Sequence, residues 1–132
     1  MNARIALSAI TLSLCMGHAM AAANHDVHLT SGTAFSPNSI ANVLVGDTIT
    51  FINDAGGFHN AVSTDAAFPF RCAVDCGANG GGSGASWTAV VTVPATAAHK
   101  DIPFFCEVHG AALMSGVIHI TNPVDVQSFE VD

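Results

Sequence analysis

Ile102-Pro103-Phe104-Phe105-Cys106-Glu107-Val108-His109-Gly110-Ala111-Ala112-Leu113-Met114-Ser115-Gly116-Val117-Ile118-His119-Ile120-Thr121 reads as two strands joined by a loop. Apolar and β-branched residues dominate Ile102 to Cys106 and Val117 to Thr121, and Gly and small residues fill the span between them. That span carries a thiol, an imidazole and a thioether, spaced Cys106-x2-His109-x4-Met114. Taken singly, Cys106 reads as a small buried hydrophobe and Met114 as a core filler. Together with His109 they are three soft or borderline donors on one loop, a set that suits copper. Two imidazoles and one thiolate in a plane, with a weak axial Met, make an electron-transfer site. The loop supplies one His, so a second must come from elsewhere in the chain.

The flanking sequence repeats the pattern of short strands. Val27 to Thr30 and Asn42 to Val45 are expected strands, the latter entered through Phe35 to Ile40. Thr48-Ile49-Thr50-Phe51-Ile52 alternates hydroxyl and apolar residues, so one face should be buried. Trp87 to Val93 is a further strand, stopped by Pro94, and Pro123 ends the last one. Gly, Pro, Asn and Asp punctuate these runs, and no helical periodicity is sustained. About seven or eight strands in a sandwich or barrel are expected, with no internal repeat and no room for a second domain. From Asp65 to Ser86 strand character is lost, and Gly80 to Gly84 is nearly all Gly. A segment of this length is usually functional or disordered. Cys72 and Cys76 lie within it, close enough in sequence to pair. Such a bond closes a small ring worth about 2 kcal/mol by chain entropy.

The first 23 residues read as a secretory signal peptide, leaving a single domain over 24–132. Arg4 begins it, Ile5 to Met16 is apolar apart from small hydroxyl residues, and Ala19-Met20-Ala21-Ala22-Ala23 offers cleavage after Ala21 or Ala23. The apolar run is shorter than the roughly 20 residues of a membrane span. A periplasmic or otherwise exported protein without a membrane span is expected, and Cys15 leaves with the signal. The remaining chain is long enough for a sizeable core. Its firm cations are Arg71 and Lys100 against ten Asp and Glu, a net charge of about −8. That charge argues against nucleic acid as a partner, and suits a basic partner patch or solubility alone equally well. In an oxidising compartment an even pair of cysteines tends to bond. Cys106 is then the odd thiol, in the one place where it has metal-binding company.

Six histidines follow the signal. His25 and His28 lie near the new N-terminus, His99 sits in a polar turn beside Lys100, and His119 alternates with Ile118 and Ile120 and so should face outward. His59 differs. It follows the strand-breaking Asn53-Asp54-Ala55-Gly56-Gly57 and stands between Phe58 and Asn60.

With His59-Asn60 added, the chain resembles the small blue-copper proteins of the cupredoxin family, near plastocyanin and pseudoazurin in motif spacing. The resemblance covers nearly all of the mature domain. It runs from Phe35-x-Pro37 through Val45-x-Asp47-Thr48-Ile49-x-Phe51 and Asn53-x-Ala55-Gly56 to His59-Asn60, and ends with Phe104-Phe105-Cys106-x-x-His109-x4-Met114-x-Gly116. It implies an all-β Greek-key sandwich and one copper ion cycling between Cu(I) and Cu(II). His59, Cys106 and His109 would be its near-trigonal ligands and Met114 the long axial one. Asn60 would tie the two ligand loops together by hydrogen bonding. Leu113 stands where the family usually has Gly, Phe105 where many relatives carry Tyr, and the Cys72–Cys76 loop is similar to a bacterial subgroup.

Such a site leaves no open position for substrate, so an electron carrier rather than an enzyme is expected. No His-Cys-His sequence occurs, and Cys72 and Cys76 lack the downstream His and Met of a binuclear copper centre. The alternatives are a copper carrier or buffer without a redox circuit, and a metal-free interaction module. His109 is the expected electron port. Gly110 to Leu113 would form an apolar patch around it, where a monomer docks transiently on redox partners such as a cytochrome or a copper enzyme. Glu107, beside the thiolate, would raise the cost of reducing copper if it is poorly screened.

Overall fold

The computed structural model describes residues 21–121. The expected signal therefore lies outside the described residues except for its last three, as do Cys15 and residues 122–132. Nine strands are formed: β1 (Asn24–Leu29), β2 (Phe35–Ser36), β3 (Ser39–Val43), β4 (Thr48–Asn53), β5 (Ala61–Ser63), β6 (Phe70–Cys72), β7 (Trp87–Thr92), β8 (Asp101–Phe105) and β9 (Ser115–Ile120). One sheet has the order β2-β1-β4-β7 and the other β3-β9-β8-β5-β6. β1 pairs parallel with β4 and β3 with β9, while the remaining pairs are antiparallel. The chain passes repeatedly from one sheet to the other, as an all-β sandwich requires.

Alternation decides which side chains enter the core. In β4, Ile49 and Phe51 point inward while Thr48, Thr50 and Ile52 are only half-buried; in β7, Trp87, Ala89 and Val91 are buried between exposed neighbours. The opposite sheet contributes Ile102, Phe104, Ile118 and Ile120. Phe51 and Phe104 meet across the sandwich edge to face, with ring centroids 5.6 Å apart, and Phe35 closes on Phe104 at 4.8 Å. Gly116 is needed opposite this ring, because a Cβ there would collide with the Phe104 ring and lie 2.6 Å from the Asn38 carbonyl oxygen.

Nine strands among the described residues exceed the seven or eight expected. The segment read as lacking strand character contains β6, paired to β5 from Ala61↔Cys72 to Ser63↔Phe70. Three residues are too few for alternation to register, so the pairing rather than the pattern makes these strands. β3 starts at Ser39, three residues before the expected Asn42. Asn42 itself has φ 58°, and the pairing with β9 shifts between Ile40 and Val43. An Asn tolerates this left-handed backbone better than a β-branched residue does, and the result is an irregular strand.

Asp47 anchors the turn before β4. Its carboxylate is buried and accepts from the backbone N–H of Ala23 at 2.8 Å and of Leu44 at 2.9 Å, with His25 Nε2 at 3.0 Å. Desolvation pushes its pKa up, but the bonds from His25, Leu44 and Ala23 outweigh this and hold it below the ordinary 3.8. Because the folded value lies below the unfolded one, this stabilisation is present above about pH 4 and is lost as pH falls through the folded value. Asp47→Asn should therefore be less stable than wild type at pH 7, and urea midpoints measured down the acid limb should converge. Phe104→Ala should lose about 3–5 kcal/mol in the same experiment, because it empties the meeting point of the sheets.

Candidate metal centre

His59 leaves the end of β4 through a turn closed by Asn53. The Asn53 side chain is buried, and its Nδ2 donates to the Gly57 carbonyl at 2.8 Å and lies 3.2 Å from that of Ser83. His59 then exchanges backbone hydrogen bonds with Ser83, the two residues forming an isolated antiparallel bridge. Gly57 lies directly on the imidazole, so that a Cβ there would collide with Nε2. The His59 backbone is thus held by Ser83 and its ring is bounded by Gly57 before any metal is considered.

Cys106 follows β8, and its loop folds back on itself. The Cys106 N–H donates to the Met114 carbonyl at 3.0 Å, Gly110 N–H to Cys106 O at 2.8 Å, and Met114 N–H to Gly110 O at 3.0 Å. Gly110 permits this closure with φ 78°, a conformation costly for other residues. The closure brings the Met114 backbone against Cys106, and the Met114 side chain is buried. Cys106 is a free, fully buried thiol. Its Sγ lies 3.5 Å from His109 Nδ1, and donor atoms of His59, Cys106 and His109 all fall within 4.8 Å of one another. The two imidazoles are tilted by 42° with centroids 4.8 Å apart.

The donor set fits a copper ion. Both ring nitrogens of His59 are buried without a hydrogen-bond partner, a state that costs about 1–3 kcal/mol per group unless something pairs them. Burial first, and then the neighbouring His109, lower the His59 pKa, keeping the ring neutral as a ligand must be. The Thr30 backbone opposes this, but none of its atoms is in hydrogen-bonding geometry to the ring. One thiolate and two imidazoles around a point, with a thioether alongside, is a donor set that copper accepts in both oxidation states.

Asn60 joins the two ligand segments. Its Oδ1 accepts from the Glu107 N–H at 2.9 Å, while its Nδ2 donates to Glu107 Oε2 at 2.9 Å and to the Gly80 carbonyl at 3.1 Å. Its own backbone N–H points to Cys106 Sγ at 3.5 Å. Glu107 also receives Arg71 Nε at 2.8 Å. The Arg71 guanidinium foremost, helped by Asn60 and opposed by desolvation, holds the Glu107 carboxyl below the ordinary carboxylate range. The carboxylate beside Cys106 is therefore ion-paired, not bare.

The other histidines lie elsewhere. His25 pairs with Asp47, His28 with Asp54 and His119 with Asp101, while His99 is exposed. The disulfide forms between Cys72 and Cys76. Two contributors gave no signal in the sequence: the Ser83 bridge and Arg71. Each acts on a residue 24 or more positions away in the chain, and only its polarity or smallness marked it.

The sequence pattern of the copper binding proteins of the plastocyanin/azurin family matches residues 19–121. No curated protein matches the chain in sequence. Among solved structures, pseudoazurin from Hyphomicrobium denitrificans is similar at 22% identity and TM-score 0.52, over 77% of this chain and 78% of that one. Amicyanin from Paracoccus versutus is similar at 14% identity and TM-score 0.55, over 74% and 80%. A copper-containing nitrite reductase from Thermus scotoductus is similar at 20% identity and TM-score 0.59, over 85% of this chain but only 25% of that enzyme. At these identities the likenesses speak for the fold. Replacing the buried Asn60 by Ala should weaken copper affinity by about 10–100-fold, measured by chelator competition on the purified protein.

Proposed function

The chain belongs to the plastocyanin/azurin family of copper-binding proteins, and from that premise we propose that it is an exported one-electron carrier. Copper would be held by His59, Cys106 and His109 with Met114 in the axial position. The observation that carries this reading is the buried free thiol of Cys106 lying within 4.8 Å of two imidazole donors. When bound, the ion supplies a one-electron couple. The chain's part is to keep the ligands where neither oxidation state needs them to move, so that little rearrangement accompanies transfer.

Export is supported by the signal-like sequence of 1–23 and by the disulfide, which persists in oxidising compartments. Among the described residues no helix is long and apolar enough to cross a membrane. A carrier rather than an enzyme is supported by a donor set that takes up the copper's coordination positions, leaving none for substrate. His109 is half-buried while His59 is buried, so His109 is the imidazole with an edge toward solvent. On the same loop Leu113 is 67% exposed and Val108 43%, and Phe58, beside His59, is 56% exposed. Phe58 and Val108 meet over Gly82, whose missing side chain lets them approach. An apolar face of this kind suits a brief encounter between a monomer and a redox partner such as a cytochrome or a copper enzyme, and the acidic surface would steer a basic one.

A copper carrier or buffer is the competing reading, since the same donors would bind the ion without a redox circuit. Copper(II) added to the mature protein should give an intense thiolate-to-copper band that is lost in Cys106→Ser. Electron self-exchange between oxidised and reduced protein, followed by NMR line broadening, should then be fast with no metal lost. Slow exchange with ready copper transfer to an acceptor protein would favour the carrier. A colourless copper-loaded protein would overturn both.

A further inference from the structure

Arg71 is one of two firm cations after the signal, and it lies at the copper end. It sits on β6 immediately before Cys72, at the mouth of the disulfide-closed ring. The chain beyond the ring returns over it. A Cβ on Gly80 would collide with the Arg71 carbonyl oxygen, and one on Gly81 would lie 3.3 Å from its Nη2. Gly80 in turn accepts from Asn60 Nδ2 at 3.1 Å. The glycine return lies against the arginine, whose side chain is otherwise half exposed, and its Nε donates to Glu107 at 2.8 Å. Glu107 follows the thiolate residue directly. Its Oε2 is shared between Arg71 and Asn60, and its N–H is bound by the same Asn60.

We infer that Arg71 is a positioning residue for the metal thiolate: by holding Glu107 it cancels the carboxylate's charge beside Cys106 and keeps Asn60 locked between the ligand segments. The inference rests on the proposed copper site. A carboxylate without a counter-ion would favour Cu(II) over Cu(I), because the oxidised ion carries the larger positive charge. With Arg71 beside it the carboxylate keeps its hydrogen-bonding geometry but loses most of that bias. The disulfide ring, which contributes no ligand, thereby gains a role: it holds the only cation that faces this carboxylate among the described residues.

The test is a double-mutant cycle on the copper-loaded protein, read by reduction potential. Arg71→Met should shift the Cu(II)/Cu(I) equilibrium about threefold to tenfold toward Cu(II), about 30 to 60 mV lower at 59 mV per tenfold. Arg71→Lys should restore most of the potential. In an Glu107→Gln background the Arg71→Met change should have little further effect. A metal-free readout runs beside it: the Glu107 backbone amide should exchange with deuterium faster in copper-free Arg71→Met than in wild type. An equal shift with and without Glu107 would make Arg71 a plain surface charge and overturn the inference, as would an unchanged potential and unchanged exchange. If wild type itself showed no thiolate-to-copper band, the proposed site would have failed instead, a result distinguishable from either.

Discussion

Asn60 is the group on which the rest of this site depends. It is buried, and both ends of its amide are engaged: the oxygen by the backbone after Cys106, the nitrogen by Glu107 and Gly80. A buried amide left without partners costs about 1–3 kcal/mol per group, so those three segments are held in one arrangement or the amide is exposed to that penalty. His59 precedes Asn60, and Cys106 precedes Glu107. The same few hydrogen bonds that satisfy one side chain therefore set the separation of the first two proposed ligands.

The sandwich supplies the stiffness behind this clamp. His59 lies beyond the end of β4, and Cys106 at the end of β8. These strands belong to opposite sheets whose faces meet at Phe51 and Phe104. Close-packed interiors of this kind resist deformation. The third and fourth donors come from the loop between β8 and β9, which is closed by Cys106 and Met114 themselves. The donors are consequently carried by a strand end and a hydrogen-bonded turn, neither of which can shift without disturbing a ladder. For one-electron chemistry that is the useful property, because a ligand set that cannot relax contributes little reorganisation.

How far the sequence revealed this depended on whether a feature was local. β4 alternates over Thr48 to Phe51, so a two-residue period marks it without reference to the partner strand, and β7 is marked by its β-branched run ending at Pro94. Cys106, His109 and Met114 are spaced on one loop, so their chemistry is visible together. His59 became legible through the Asn53-to-Gly57 break that precedes it. In contrast, β5 and β6 are three residues each and exist only because they pair, and β3 starts at Ser39, where its pairing with β9 begins, rather than at Asn42. Ser83 and Arg71 were invisible for the same reason. Their contributions arise from a glycine-rich return whose path no propensity specifies, and which is fixed by Asn53, Asn60 and the Cys72–Cys76 bond. The bare Glu107 that the sequence left open became an ion pair once that path was known.

The central claim is that four specific side chains surround one copper ion. X-ray absorption at the copper K-edge of the loaded protein tests it most directly. The account predicts an inner shell of two imidazole nitrogens and one short sulfur, with a second sulfur farther out that is lost in Met114→Leu. An inner shell of nitrogen and oxygen alone, unchanged in Cys106→Ser, would contradict it.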